Sequence, residues 1–324
     1  MRLLYVVSTG EAAGKTMIAA GLGKHFRDAG KKIGYLKPVS GEASTGDAVF
    51  LGRVLGLGES VDFICPPAES PGEVQQACAR VSGEKDAVII ESRLGADPAD
   101  NYEVARKLDA RVIVVADYTG DIAASLDTYR GFGKNLLGVV INKVPQSRLE
   151  EAKSGIAARL TGAGINVLGI IPEDRALAAL SVSELAGCVQ GKILNQEEKT
   201  GALVENLMLG AMVVGSGVDY FGRKPNKAAV IASNRPDMQL AALETSTRCL
   251  VISGAKQEPV YAVLEKADNH QIPVILTEED TSAIVRDVEK CLTNTRFTQE
   301  GKLSRLGEIL RQHFDMAAVE KVLG

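Results

Sequence analysis

Tryptophan is absent from the 324-residue chain, and aromatic residues make up only 4% of it. The chain therefore has few side chains that stack on nucleic-acid bases. Its formal net charge is −4 and no long basic run occurs, so it also lacks the electrostatic footprint of a nucleic-acid-binding protein. Both shortages argue against a nucleic-acid partner.

Histidine, cysteine and long apolar runs are also scarce. Three His and five Cys without a C-x-x-C pair argue against a zinc site. The cysteines are scattered and odd in number, which predicts unpaired thiols in a reducing compartment. They are Cys65, Cys78, Cys188, Cys249 and Cys291. No stretch approaches the roughly 18 apolar residues of a membrane span, and the apolar N-terminal run is too short for a signal peptide. We therefore expect an unprocessed cytoplasmic protein with no membrane contact.

The first half alternates short apolar segments with longer amphipathic ones. Apolar strands followed by helices are typical of a doubly wound, mostly parallel α/β sheet. The predicted strands are Leu3–Val7, Ile33–Lys37, Ala87–Glu91, Arg111–Ala116, Leu137–Asn142 and Asn166–Ile171. The predicted helices are Lys15–Ala29, Asp47–Leu55, Pro71–Val81, Tyr102–Leu108, Ile122–Phe132 and Arg148–Gly162.

A polar segment over residues 187–205 interrupts this pattern and is predicted to be a linker. The pattern then restarts as a smaller α/β domain. Its predicted strands are Leu209–Val214, Ala228–Ile231, Cys249–Ile252 and Val274–Leu276, and its predicted helices are Met238–Thr245, Glu258–Asn269 and Thr281–Cys291. Apolar residues at helical spacing predict a helical tail. The expected domains are 1–193, 206–295 and the tail 296–324.

The segment from Ser8 to Thr16 reads Ser-Thr-Gly-Glu-Ala-Ala-Gly-Lys-Thr and joins a predicted strand to a predicted helix. This is the context of a P-loop, whose backbone N–H groups and helix N-terminus bind phosphate. Lys15 is expected to reach the β- and γ-phosphates, and Thr16 to place its hydroxyl on Mg²⁺. The strict pattern asks for glycine where Thr9 stands. The remaining residues of the phosphate cradle are Gly10, Glu11, Ala12, Ala13 and Gly14.

Two carboxylates are candidates for the magnesium site. Glu91 ends a buried strand, where a side chain faces the ligand crevice, and Asp47 follows a Gly/Ser/Thr-rich loop. Glu91 has the alternative of a helix cap or solvated strand end, and Asp47 that of an N-cap. Lys37 closes a strand and is a candidate to counter phosphate charge, with an ordinary surface lysine as the alternative.

The first 190 residues resemble dethiobiotin synthetase and related P-loop amide-forming ligases. The motifs, besides the P-loop, are Lys37-Pro-Val-Ser-Gly-Glu42, Asp47-Ala48, Glu91, Gly138-Val-Val-Ile-Asn-Lys143 and Leu168-Gly-Ile-Ile-Pro-Glu-Asp174. The resemblance implies ATP and Mg²⁺ as cofactors, with Lys15 and Lys37 acting on phosphate and Asp47 and Glu91 serving the metal. It also implies that Asn142 contacts adenine and that Pro172 lies close by. The chain departs from the family after Glu91, where Ser-Arg-Leu-Gly95 replaces a glycine-rich stretch.

The second half resembles the DRTGG domain. The motifs are Met208-Leu-Gly-Ala-Met-Val-Val-Gly215, Ala229-Val-Ile-Ala-Ser-Asn-Arg-Pro-Asp237 and Val251-Ile-Ser-Gly-Ala255. The domain order is similar to the N-terminal regulatory half of long bacterial phosphotransacetylases. This implies a small-molecule effector at the second domain and a homodimer. It also implies that no sequence is left to encode acetyl transfer.

Three functions remain open. The first is an ATP- and Mg-binding regulatory or sensor protein. The second is an ATP-dependent carboxylate or carbamate–amine ligase, for which Arg93 is a candidate partner of the substrate carboxylate. The third is a scaffold that retains its nucleotide without turnover. Guanine is disfavoured, since position 145, two residues after Lys143, is proline instead of aspartate.

Overall fold

The computed structural model describes residues 2–10, 12–39, 45–92, 97–118, 122, 125–211 and 216–323. The chain divides into two compact units. The first unit contains Met1–Glu173 and Arg296–Gly324, and the second contains Asp174–Thr295. The second unit is thus inserted into the chain of the first, whereas the sequence pattern placed the boundary near 193 and left the tail as a separate segment.

A six-stranded sheet forms the centre of the first unit. All its strands pair in parallel, in the order β2-β3-β1-β4-β5-β6, and most of their residues are buried. This confirms the predicted parallel α/β sheet. The strands are β1 (Arg2–Ser8), β2 (Ile33–Leu36), β3 (Ala87–Glu91), β4 (Arg111–Asp117), β5 (Leu136–Val144) and β6 (Val167–Pro172).

Helices connect these strands. They are α1 (Lys15–Asp28), α2 (Gly46–Leu55), α3 (Val61–Ile64), α4 (Pro71–Ser82), α5 (Pro98–Leu108), α6 (Leu126–Arg130), α7 (Leu149–Glu151) and α8 (Ala158–Gly162), with a π-helical turn at Ala152–Ala157. Helix α5 begins earlier than the predicted Tyr102 because Asp97 accepts a bond from the Ala99 N–H and Pro98 occupies the first turn. Within the expected helix 122–132, only 126–130 is α-helical among the described residues.

The C-terminal tail belongs to the first unit. It forms the last two helices of the chain, α15 (Leu303–His313) and α16 (Met316–Leu323). The Asp315 N–H donates to the Leu168 carbonyl at 2.6 Å, and Phe314 makes an antiparallel bridge to Gly169 of β6. The tail therefore covers the outer edge of the sheet.

The second unit contains a smaller α/β sheet. Strands β10 (Asn206–Leu209), β11 (Lys227–Ala232), β12 (Thr247–Ser253) and β13 (Val274–Leu276) are parallel, and β8 (Lys192–Ile193) joins β13 antiparallel. A separate pair consists of β7 (Leu180–Ser181) and β9 (Leu203–Val204). The helices are α9 (Arg175–Ala178), α10 (Val182–Cys188), α11 (Gly217–Phe221), α12 (Pro236–Leu243), α13 (Tyr261–Asn269) and α14 (Thr281–Asn294).

Two expectations from the sequence are corrected here. The segment 187–205 is not a linker, because it supplies the end of α10 and strands β8 and β9 to the second unit. The cysteines are not all unpaired, because Cys188 of α10 and Cys291 of α14 form a disulfide across 103 residues. That pairing depends on the packing of α10 against α14, which local sequence does not reveal. Cys65, Cys78 and Cys249 are free and buried.

Among the described residues, no helix is long and apolar enough to cross a membrane.

Candidate functional site

The segment between β1 and α1 has the backbone features of a phosphate-binding loop. Gly14 caps α1 with φ 102°, a left-handed conformation that favours glycine, and a Cβ there would lie 2.3 Å from the Asn142 amide nitrogen. In the described part of the helix, α1 has no side-chain N-cap and no acidic residue in its first turn. Its N-terminal dipole therefore remains available to an anion.

The predicted cradle residues lie around this helix start. Thr9, Gly10 and Ala12 are exposed, whereas Ala13 is buried. The Lys15 ammonium donates to Ser8 Oγ at 2.8 Å, and Ser8 Oγ donates to the Gly10 carbonyl at 2.7 Å. These bonds hold the lysine along the loop where phosphate is expected. Glu11 lies outside the described residues.

Asn142, predicted to contact adenine, lies on β5 directly against the loop. Its side-chain amide donates to the Ala13 carbonyl at 2.8 Å and is 3% exposed. This bond fastens the phosphate loop to the sheet. Pro172 is buried at the end of β6, in register with Val144 of β5. The adenine contact of both residues stays a prediction.

Glu91 ends β3, next to β1, and has no exposed surface. Thr16 Oγ1 donates to Glu91 Oε2 at 3.0 Å, and the Lys37 ammonium lies 3.3 Å from the same oxygen. The Tyr35 hydroxyl donates to Glu91 Oε1 at 2.9 Å. A fully buried carboxylate with these three partners is neither a helix cap nor a solvated strand end.

Lys37 follows β2 and links the two predicted metal carboxylates. Its ammonium is hydrogen-bonded to Asp47 and paired with Glu91, and its side chain is only 7% exposed. Burial opposes the charge, but the two carboxylates outweigh it and raise the pKa of Lys37. Asp47 lies inside the first turn of α2, whose N-cap is Thr45. Neither the surface-lysine nor the N-cap alternative describes this arrangement.

The donors gathered here suit magnesium bound together with phosphate. Thr16 Oγ1 and the carboxylates of Asp47 and Glu91 are hard oxygen ligands. The Lys37 ammonium offsets only one of the two carboxylate charges, so these three groups carry a net negative charge. Among the described residues, no group of three or more His, Cys, Asp or Glu is placed to hold a metal by itself. Phosphate oxygens and water would have to complete the coordination, as is usual for Mg²⁺.

Sequence reasoning missed two site residues, Tyr35 and Ser8. Tyr35 occupies a wholly buried strand and carries no local signal, since its contact depends on the pairing of β2 with β3. Ser8 belongs to the quoted loop motif, but the motif assigns its position no role. Arg93, the candidate partner for a substrate carboxylate, lies outside the described residues.

The DRTGG-like segments of the second unit contain a local ion pair and a hydroxyl–carbonyl hydrogen bond. Arg235 occupies the N-cap position of α12, and its guanidinium pairs with Asp237 at 2.9 Å. The Ser233 hydroxyl donates to the carbonyl of Gly254, which has a φ of 63°. The guanidinium lowers the pKa of Asp237. The ion pair is local, between residues two positions apart at the start of α12.

The chain was compared with known proteins. Residues 2–181 match the family described as AAA domain, and residues 184–291 match the DRTGG domain. A phosphate acetyltransferase from Pseudomonas aeruginosa is 25% identical over 75% of this chain and 40% of its own length. One from Haemophilus influenzae is 22% identical over 97% of this chain and 51% of its own length. An ATP-dependent dethiobiotin synthetase from Streptomyces avermitilis is 29% identical over 53% of this chain and 84% of its own length.

The chain spans about half the length of the phosphate acetyltransferases it matches. The match to the dethiobiotin synthetase agrees with the motifs that gather at the phosphate loop. Because the first family match covers more than half of the 324 residues, the chain belongs to the AAA domain family, here as a P-loop domain of the dethiobiotin synthetase type followed by a DRTGG domain.

Proposed function

We propose that this protein is a nucleotide-dependent regulator. Its first unit binds Mg-ATP, and its second unit binds an effector or responds to whether the first unit holds a nucleotide. The observation that carries the proposal is the meeting of four side chains next to the helix start that carries Lys15. They are Thr16, Lys37, Asp47 and Glu91.

The chemistry of this cluster suits a triphosphate. Lys15 and Lys37 supply fixed positive charge for the β- and γ-phosphates, and the α1 N-terminus adds its dipole. Mg²⁺ would share Thr16, Asp47 and Glu91 with the phosphate oxygens and neutralise their charge. The adenine ring is assigned to the neighbourhood of Asn142 and Pro172, as the family resemblance implies.

The regulatory part of the proposal is supported by the second unit. A DRTGG domain follows the P-loop domain, and the same chain is similar to phosphate acetyltransferases over most of its length. We propose an adenine nucleotide or another small molecule as its effector, and a homodimer as the assembly. Coupling requires that each ligand favour one shared state of the protein.

A second candidate is an ATP-dependent ligase that phosphorylates a carboxylate or carbamate. It is favoured by the similarity to a dethiobiotin synthetase over most of that enzyme's length and by the burial of Lys37 beside the phosphate loop. Phosphate release that stays slow with ATP alone and rises at least tenfold with a diamino acid and bicarbonate would support the ligase. A rate that no such mixture changes would contradict it.

Hydrogen–deuterium exchange of the full chain, with and without Mg-ATP, tests the regulatory proposal. We expect slower exchange around Lys15 and Thr16 and a further change within residues 217–293. The Lys15→Ala variant should show neither change. Protection confined to the first unit would contradict a regulatory role while leaving nucleotide binding intact.

A further inference from the structure

Glu91 has two oxygens with different surroundings. Oε2 accepts from Thr16 and lies 3.3 Å from the Lys37 ammonium, whereas Oε1 accepts from the Tyr35 hydroxyl at 2.9 Å. Oε2 thus faces Thr16 and Lys37, and Oε1 faces Tyr35 of β2. The carboxylate has no exposed surface, so its orientation depends on these protein partners.

Both partners of Oε2, Thr16 and Lys37, are groups that Mg-nucleotide would also attract. A Thr16 hydroxyl would offer its oxygen lone pair to Mg²⁺ while keeping its hydrogen for Oε2, and the Lys37 ammonium would be attracted to phosphate. The bond to Oε1 is not affected in this way, because Tyr35 belongs to β2 and is fully buried. Its hydroxyl has a single hydrogen, which it donates to Oε1.

We infer that Tyr35 is a positioning residue, which anchors Glu91 Oε1 so that Oε2 remains aimed at the metal when nucleotide binds. The inference rests on the proposed binding of Mg-nucleotide. Hydrogen bonds of this kind, made to metal-ligating carboxylates by groups behind them, typically change metal affinity by about 10–100-fold when removed. Tyr35 would act through Glu91 and would not itself bind the phosphate or the metal.

The test is calorimetric titration of ATP into the full chain at a series of Mg²⁺ concentrations and in EDTA. The Tyr35→Phe variant removes one oxygen and keeps the buried ring. We expect the Mg²⁺ concentration for half-maximal enhancement of ATP affinity to rise about tenfold. ATP affinity in EDTA should stay within about twofold of the wild type, because the phosphate-binding lysine and backbone are unchanged.

Tyr5→Phe is a matched control. Tyr5 lies on β1, on the other side of β3 from β2, is also buried, and donates its hydroxyl to Asn101 Oδ1 at 2.5 Å. Its loss should leave the Mg²⁺ dependence unchanged, even where thermal stability falls. An effect of Tyr35→Phe equal in Mg²⁺ and in EDTA would assign Tyr35 to the fold alone and overturn the inference.

The wild-type titration separates this inference from the proposed function. If the wild type binds ATP with a clear Mg²⁺ dependence and Tyr35→Phe shows the same dependence, the positioning role is wrong and nucleotide binding stands. If the wild type shows no Mg²⁺-dependent binding of ATP, the proposed function fails and this inference fails with it.

Discussion

At the residue scale, Glu91 shows how the candidate site tolerates a buried charge. Removing a carboxylate from water costs several kcal/mol unless hydrogen bonds and opposite charge offset it. Here two hydroxyl donors and one ammonium provide the offset, and the ammonium is shared with Asp47. A site with more negative than positive charge is prepared to accept a cation without a large rearrangement.

Lys227 is a buried charge without such an offset. It begins β11, has no exposed surface, and its ammonium has no hydrogen-bond partner among the described residues. Burial lowers its pKa to about 8 from 10.5. The folded state therefore binds this proton less tightly than the unfolded state, so Lys227 costs stability at pH 7 and the cost disappears as the pH rises from 8 to 10.5.

We predict that Lys227→Met stabilises the second unit at pH 7 by on the order of 1–3 kcal/mol. The stabilisation by Lys227→Met should shrink between pH 8 and 10.5, because folded wild type loses the Lys227 proton at lower pH than the unfolded chain does. Urea unfolding across this range measures both effects. Lys224→Met, at an exposed position nearby, serves as the control and should change stability by less than about 0.5 kcal/mol. A destabilised Lys227→Met protein at pH 7 would contradict this account.

Single residues of the site differ in how well the sequence reveals them. Lys15 and Thr16 stand in a motif whose spacing is local, and Glu91 ends an apolar strand whose end must face the crevice. Tyr35 could not be recognised, because its role depends on which strand pairs with β2. Asn142 was assigned to adenine by resemblance, while its bond to Ala13 depends on contacts 129 residues apart.

At the element scale, the tail is held to β6 by close backbone contact at Gly169. A Cβ at this position would lie 2.7 Å from the His313 carbonyl oxygen and 3.2 Å from the Phe314 Cα. Neither backbone atom can move without displacing the start of the segment that leads into α16. Glycine at 169 is therefore required by proximity rather than by an unusual φ.

Gly169→Ala should destabilise the first unit by about 1–3 kcal/mol through this overpacking. The Asp315 amide, which donates to the Leu168 carbonyl, should exchange with deuterium faster, because the clash separates the tail from β6. Gly155→Ala is the matched control, since a Cβ there meets nothing within 4 Å. Unchanged protection of the Asp315 amide in Gly169→Ala would show that the tail does not depend on this contact.

Elements with strong periodicity were predictable, and elements defined by distant partners were not. Most strands of the parallel sheets have apolar centres, so composition places them. Strand β10 was misplaced: it spans Asn206–Leu209, whereas the predicted strand Leu209–Val214 overlaps it only at Leu209 and continues into residues outside the described ones. Strands β8 and β9 are only two residues long, and they exist because β13 and β7 lie beside them. The Cys188–Cys291 disulfide has the same origin in distant packing.

At the scale of the whole molecule, the chain leaves the first unit after Glu173 and returns at Arg296. The departure lies just beyond β6, which carries Pro172, and the return leads into the tail that packs on the same strand. The second unit is therefore connected covalently to the P-loop unit at two points. This organisation was not visible in the sequence, since a helical tail gives no indication of the sheet it covers.

Binding of Mg-ATP at the loop before α1 can be measured by calorimetric titration of Mg-ATP into wild type, Lys15→Ala and Lys24→Ala. Lys24 lies on the same helix but pairs with Asp28 at 2.6 Å, so its loss should leave affinity unchanged. We predict that the wild type binds and that Lys15→Ala loses at least tenfold in affinity, because the ammonium for the β- and γ-phosphates is gone. Equal affinity of wild type and Lys15→Ala, or no binding by the wild type, would contradict the account.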